Sequence, residues 1–280
     1  MSKRAFLCLA CLLIQLYAPA LRVAGSAQQA KVTISTPEQI ASEFKEVPCK
    51  DGDRLASVKA LFEKVGAAAS ELSIVKYKNV ENLVVHKQGA SEEKIVVGAH
   101  YDKVSEGCGA VDNWTGIVAL AHIYKTIREV QIQKTVLFVA FGKEEKGLVG
   151  SGAMVESITK DQLDQYCAMI NIDSLGLGAP QVASNMSSKK LEEEAARLAK
   201  ELKMPFFNAS IEGANSDSTS FRNKGIPALT IHGLTNDWRS VLHTGKDQPS
   251  KVNTASVYLG YRLALSLLAV ANESPCGAFK

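Results

Sequence analysis

The sequence predicts an α/β fold, a mixed, mainly parallel central sheet with helices on both faces. Three observations carry that expectation. Short apolar, β-branched runs recur along the chain, amphipathic stretches of helical length separate them, and several acidic and histidine residues stand directly after the apolar runs. Runs without polar alternation suit strands buried on both faces of a parallel sheet, and strands separated by helices imply crossover connections. In such sheets the functional crevice lies beyond the carboxyl ends of the strands, so residues distant in sequence converge there.

In chain order, the basic Met1-Ser2-Lys3-Arg4 leads into an apolar stretch from Ala5 to Ala20 and then the small residues Ala24-Gly25-Ser26-Ala27. This reads as a signal peptide over residues 1–27, cut near Ala27, ahead of a single domain over 28–280. Gln15 and Pro19 interrupt the apolar part and no second hydrophobic span is read after it. That argues against a stable membrane anchor and for a secreted product, periplasmic in a bacterium. Thr36-Pro37-Glu38-Gln39 has the capping threonine and first-turn proline of a helix start, and Arg54 to Ala69 continues as helix. Leu72 to Tyr77 and Asn82 to His86 alternate enough for an early antiparallel pair. Ile95 to Ala99, Thr135 to Phe141, Ala168 to Ile172 and Ala228 to His232 are the buried strands. Ile117, Leu120, Ala121, Tyr124 and Ile127 recur at three- and four-residue steps, which places a helix over 115–128; further helices are expected over 188–202 and 255–270. No repeat or low-complexity tract marks a domain boundary.

Composition sets outer limits. With 46% hydrophobic and 22% charged residues in 280, the chain can bury a proper core. Loss of residues 1–27 removes Lys3, Arg4 and Arg22 and no acid, so 32 basic side chains fall to 29, equal to the 29 acidic ones. The domain is formally neutral, so nothing points to nucleic acid and no such partner is expected. No feature of the sequence specifies an oligomeric state. Past Cys8 and Cys11, the cysteines are Cys49, Cys108, Cys167 and Cys276, an even number that suits an oxidising compartment. Cys49 and Cys276 are expected to pair, because closing the longest loop restricts the unfolded chain most, while Cys167, just ahead of a strand, suits a buried thiol. With no Cys-x-x-Cys left, a cysteine-rich zinc site is not expected. Asn185, Asn208 and Asn272 lie in Asn-x-Ser glycosylation sites, and Asn113-Trp114-Thr115 also matches.

His100, Asp112, Glu144, Glu145, Asp173 and His243 are the chemistry-bearing residues. His100, Glu144-Glu145 and Asp173 each follow a buried run, and His243 lies in the loop after a fourth. Each has a plain alternative. Asp112 suits a helix N-cap, Glu144-Glu145 a solvated turn, Asp173-Ser174 a turn before Gly176, and His243 a surface position. His100 is harder to explain away, because Asp102 follows two residues later, placed to hold the other imidazole nitrogen. The joint pattern outweighs the separate alternatives and reads as a two-metal hydrolase centre. His86 and His122 read as structural, and His232, at a strand end, is left open.

The blocks Gly98-Ala99-His100-Tyr101-Asp102, Gly109 to Gly116, Phe141 to Ser151 and Asn171-Ile172-Asp173, followed by Ser216-Asp217-Ser218 with Phe221, Gly225-Ile226-Pro227-Ala228 and His243-Thr244, resemble the zinc aminopeptidases of peptidase family M28. The resemblance spans about residues 80 to 265 and implies a zinc-exopeptidase-like three-layer sandwich. It implies two Zn²⁺ per chain, with Mn²⁺ or Co²⁺ chemically able to replace them: Asp112 bridges, His100 and Asp173 complete one site, and Glu145 and His243 the other. Glu144 is then the general base, and a cis peptide is expected at Asp112-Asn113. Trp114, Asp217, Phe221, Trp238 and Leu242 are expected to border the substrate pocket. Two departures stand out. Many members carry histidine in the block that here reads Ser216-Asp217-Ser218, and the tyrosine that microbial relatives use at the oxyanion has no counterpart between Tyr166 and Tyr258. The chain length leaves no room for the inserted protease-associated domain of some members. The expected activity is removal of the N-terminal residue from peptides with a free N-terminus. A glutaminyl cyclase-like one-zinc acyltransferase and a non-catalytic ectodomain on the same fold are the alternatives.

Overall fold

The computed structural model describes residues 32–280; the expected signal peptide lies outside the described residues. The centre is one eight-stranded sheet of β1 (Leu72–Tyr77), β2 (Val80–Lys87), β3 (Ser91–His100), β4 (Lys134–Phe141), β5 (Tyr166–Ile172), β6 (Gln181–Ala183), β7 (Phe207–Ala209) and β8 (Ala228–His232), in the order β1-β2-β4-β3-β5-β8-β6-β7. The inner strands β4, β3, β5 and β8 run parallel, as do β6 and β7, whereas β1–β2, β2–β4 and β8–β6 are antiparallel. Every residue of β4 and β5 is buried, which is why those segments are apolar without alternation.

The helices are α1 (Pro37–Ser42), α2 (Asp51–Lys64), α3 (Thr115–Ile127), α4 (Val149–Ser157), α5 (Lys189–Glu201), α6 (Ser218–Asn223) and α7 (Thr254–Glu273). Successive strand residues face opposite layers. Val97, Phe138, Ile170 and Leu229 join Phe62, Leu120, Leu198 and Tyr261 under α2, α3, α5 and α7. Val96, Val139, Phe141 and Met169 join Met154 and Phe221 under α4 and α6. The expected α1 start is a capping box, with Thr36 Oγ1 accepting from the Gln39 N–H and Gln39 Oε1 accepting from the Thr36 N–H. Helices α4 and α6 and the three-residue strands β6 and β7 were not expected from the sequence.

Helix α7 is long and apolar enough, by length and composition, to cross a membrane, which qualifies the reading that no second hydrophobic span follows the leader. Its Val257, Tyr261, Ala264, Leu268 and Ala271 nevertheless pack in the core. It starts at the carboxyl edge of the sheet and runs back to the strand starts, where Asn272 Oδ1 accepts from the Gln133 and Lys134 N–H groups. That direction corrects the cysteine expectations. Cys276, carried to the start of β5, bonds Cys167, and Cys49 bonds Cys108 at the opposite edge. Cys49 and Cys276 therefore sit at opposite ends of the strands, and Cys167 is no free thiol. Asn113 and Asn272 are buried, with their amides committed to internal hydrogen bonds; Asn208 is exposed.

Candidate metal centre

At the carboxyl edge of β3, β4 and β5 the strand ends bring His100, Glu144-Glu145 and Asp173 together. His100 is buried, and its Nδ1 lies 3.2 Å from the Asp102 backbone carbonyl. Donating there leaves Nε2 free to face Asp112 Oδ1 at 3.1 Å and Asp173 Oδ1 at 3.5 Å. His243 Nε2 lies 3.1 Å from Asp112 Oδ2 and 3.1 Å from Glu145 Oε2. The two oxygens of one carboxylate thus face different imidazoles. Two donor sets result, His100–Asp112–Asp173 and Asp112–Glu145–His243, each with its atoms within 4.8 Å of one another.

The Asp112 carboxylate is held from several sides. It sits in a distorted turn, Ala110–Trp114, in which the Asp112–Asn113 peptide is cis. The Asp247 carboxylate accepts from the Val111 N–H (2.7 Å) and the Asp112 N–H (3.1 Å). Buried Arg54, from α2, donates to the Gly109 carbonyl at 2.7 Å. Asn113 ties the turn to β5, donating to the Ile172 carbonyl and accepting from the Ser174 and Gly116 N–H groups. Gly116 is required there, since a Cβ would stand 2.5 Å from the Ile172 carbonyl oxygen. Lys143, Ser174 and His243 have φ of 56°, 57° and 58°. Left-handed backbone at non-glycine residues costs energy and collects where a scaffold fixes functional geometry; here it lies at or next to the proposed ligands and base.

Asp102 stands at the other His100 nitrogen through its backbone carbonyl, with Oδ1 3.6 Å from Nδ1, and its carboxylate also accepts from the Glu144 N–H (2.9 Å) and the Glu145 N–H (3.2 Å). Backbone carbonyl and carboxylate of one residue thereby orient a histidine and fix the acidic turn opposite it.

The electrostatics follow from crowding. Burial opposes ionisation of Asp112, but hydrogen bonds from His100 and His243 hold its carboxyl well below the usual carboxylate range. Burial drives the Glu144 carboxyl well above its usual range; His100 opposes this, and Asp173, Asp217 and Asp112 add to it. Hydrogen bonds to Asp112 and Glu145 push His243 up to about 10. Glu145 Oε1 is buried without a hydrogen-bond partner. Converging carboxylates, two imidazole nitrogens, no thiolate and an orphaned carboxylate oxygen make a donor set that fits divalent zinc, manganese or cobalt.

These groups open onto a cavity of about 470 Å³, which Trp238, Leu242 and His232 also line. Three residues expected at the pocket are not on its lining. Trp114 leads into α3 and turns back under α2, where the Arg54 guanidinium lies 5.6 Å from its ring centre. Phe221 packs edge-on to Phe141, 6.0 Å between centroids, beneath the sheet. Asp217 is fully buried, and desolvation raises its carboxyl to about 7. Asp247 and Arg54 were missed. Each acts over more than fifty residues of chain, and no local spacing marks either.

The chain is similar to known proteins in sequence and in fold. The profile of peptidase family M28 matches residues 82–267. Aminopeptidase YwaD of Bacillus subtilis is 29% identical over 189 residues, 65% of this chain and 40% of that protein. Aminopeptidase Y of Saccharomyces cerevisiae is 25% identical over 70% of this chain and 38% of its own length. The chain thus spans about two fifths of these relatives. Among solved structures, the LapA aminopeptidase of Legionella pneumophila superposes with a TM-score of 0.71 at 22% identity, over 87% of this chain and 73% of that one. An Acidobacteriales bacterium glutaminyl cyclase gives 0.71 at 17% identity, over 91% of this chain and 99% of that one. A profile match over most of the chain, on a fold that gathers its histidine and acidic blocks at one sheet edge, shows that this chain belongs to peptidase family M28.

Proposed function

We propose that the protein is a secreted dizinc aminopeptidase, periplasmic in a bacterium, that removes the N-terminal residue from peptides. The observation that carries this reading is the Asp112 carboxylate, one oxygen facing His100 and the other His243. His100, Asp112 and Asp173 would hold one ion, and Asp112, Glu145 and His243 the other. Zinc bound there supplies Lewis acidity, polarising a peptide carbonyl and acidifying an attacking water. Glu144 is the base: its carboxylate takes the proton of the attacking water, and the acid so formed delivers it to the departing amine. Burial and the neighbouring carboxylates raise the proton affinity of this group, as suits one that takes up a proton and passes it on. The surrounding carboxylates attract the free α-amine of a peptide, which favours attack at the first peptide bond. Asp102 keeps the Glu144 backbone fixed while the side chain changes protonation.

The test is metal analysis of the purified protein together with chelator-sensitive hydrolysis of leucine and lysine amides. Two ions per chain and released amino acid are expected. Ammonia from an N-terminal glutaminyl peptide, with no residue released, would assign the glutaminyl cyclase-like reaction instead. No turnover and no bound metal would leave a binding ectodomain.

A further inference from the structure

His232 ends β8, one strand beyond Asp173, and is not among the proposed metal ligands. The backbone N–H of Leu234 donates to its Nδ1 at 3.1 Å, so the ring proton of the neutral imidazole sits on Nε2. That Nε2–H is buried, has no hydrogen-bond partner, and belongs to a side chain only 2% exposed that lines the cavity. The N–H donated to Nδ1 makes the group a neutral donor, and burial favours the same form, against the opposing charge of Asp173.

Its position separates it from the reacting centre. Ile231 pairs with Ile172, so His232 stands beside Asp173 one strand spacing further out, about 4.8 Å, and about two spacings from His100. Met186, Ile211 and Leu234, also on the cavity wall, form an apolar cluster on that outer side. A buried donor without a partner beside apolar walls is costly, and a ligand carrying a matching acceptor recovers that cost. Sites built this way reject analogues that lack the acceptor more strongly than apolar pockets distinguish one methylene.

Resting on the aminopeptidase reading, we propose that His232 selects the side chain of the residue removed, donating from Nε2 to an uncharged carbonyl acceptor, so that glutamine is preferred to its apolar near-isostere methionine.

The test compares glutamine and methionine aryl amides on the metal-loaded enzyme and on His232→Phe, with free amino acid and ammonia both measured. The wild type should favour glutamine by roughly 10- to 100-fold in kcat/KM, mostly through KM, and the variant should lose that preference while keeping methionine turnover. Free glutamine should raise the wild-type melting temperature more than free methionine does, a difference absent in the variant. Equal or greater wild-type activity on methionine overturns the inference and leaves the aminopeptidase reading standing. A parallel kcat loss on both substrates would make His232 a donor to the reacting carbonyl, and also overturns it. Hydrolysis of neither amide, or ammonia without free glutamine, sinks the aminopeptidase reading itself; the thermal shifts then still decide whether the recess reads an acceptor. If His232→Phe does not fold, the wild-type preference and thermal shifts decide.

Discussion

Asp112 faces two imidazoles at once because its backbone is pinned before its side chain is used. Asp247 holds the Val111 and Asp112 N–H groups, and Asn113 anchors the next residue to the end of β5. Asp247→Ala should therefore weaken zinc retention about 10- to 100-fold, measured by dialysis against a zinc buffer, although Asp247 touches neither proposed ion. Glu144→Gln tests the division of labour in the acidic pair. It should cost about 10²- to 10⁴-fold in kcat with two ions retained, because the amide keeps the shape and loses the base. Loss of metal in that variant would make Glu144 a ligand. At this scale the sequence disclosed residues that follow strands, since a strand end is a local signal. It concealed Asp247, Arg54 and the second use of Asp102, which depend on where a distant loop returns. Trp114 misled because an aromatic next to a ligand looks like a pocket wall, whereas a side chain entering α3 points back over the preceding turn, toward α2.

Among the elements, α2 acts as a clamp on the loop that carries Asp112. Cys49–Cys108 joins its leading segment to that loop, Asp51 Oδ1 accepts from the Lys103 N–H at 3.1 Å, and Arg54 donates to the Gly109 carbonyl. Replacing both Cys49 and Cys108 by serine should cost about 2–4 kcal/mol of unfolding free energy in denaturant titration, since the bridge closes a long loop. Thr36→Ala should cost about 0.5–2 kcal/mol by the same measurement through loss of the α1 cap. Helices with clear periodicity or caps, α1, α3, α5 and α7, were legible, as were the buried strands. Helix α4 was not, because glycines at 150 and 152 interrupt a segment without a polar face, and α6, β6 and β7 are too short to show a period. The disulfide pairing needed the direction of α7 across the sheet, which loop-length reasoning ignores.

At the scale of the molecule, parallel strands deliver ligands to one edge while the core on both faces holds that edge together. Because the proposed ions bind the folded arrangement and not the unfolded chain, chelation should lower the unfolding midpoint, and free zinc at 1,000 times its Kd should add about 4 kcal/mol. Scanning calorimetry with and without chelator checks this. The parallel architecture was legible because buried strands have an unbroken apolar signature, whereas the apolar length of α7 also suits a membrane span, and its packing in the core is visible only in the fold. The most direct test of the account is anomalous diffraction at the zinc edge from crystals of the zinc-loaded protein. The account predicts two peaks, one on each side of the Asp112 carboxylate, the first against His100 and Asp173 and the second against Glu145 and His243. A single peak, or peaks away from Asp112, would contradict it.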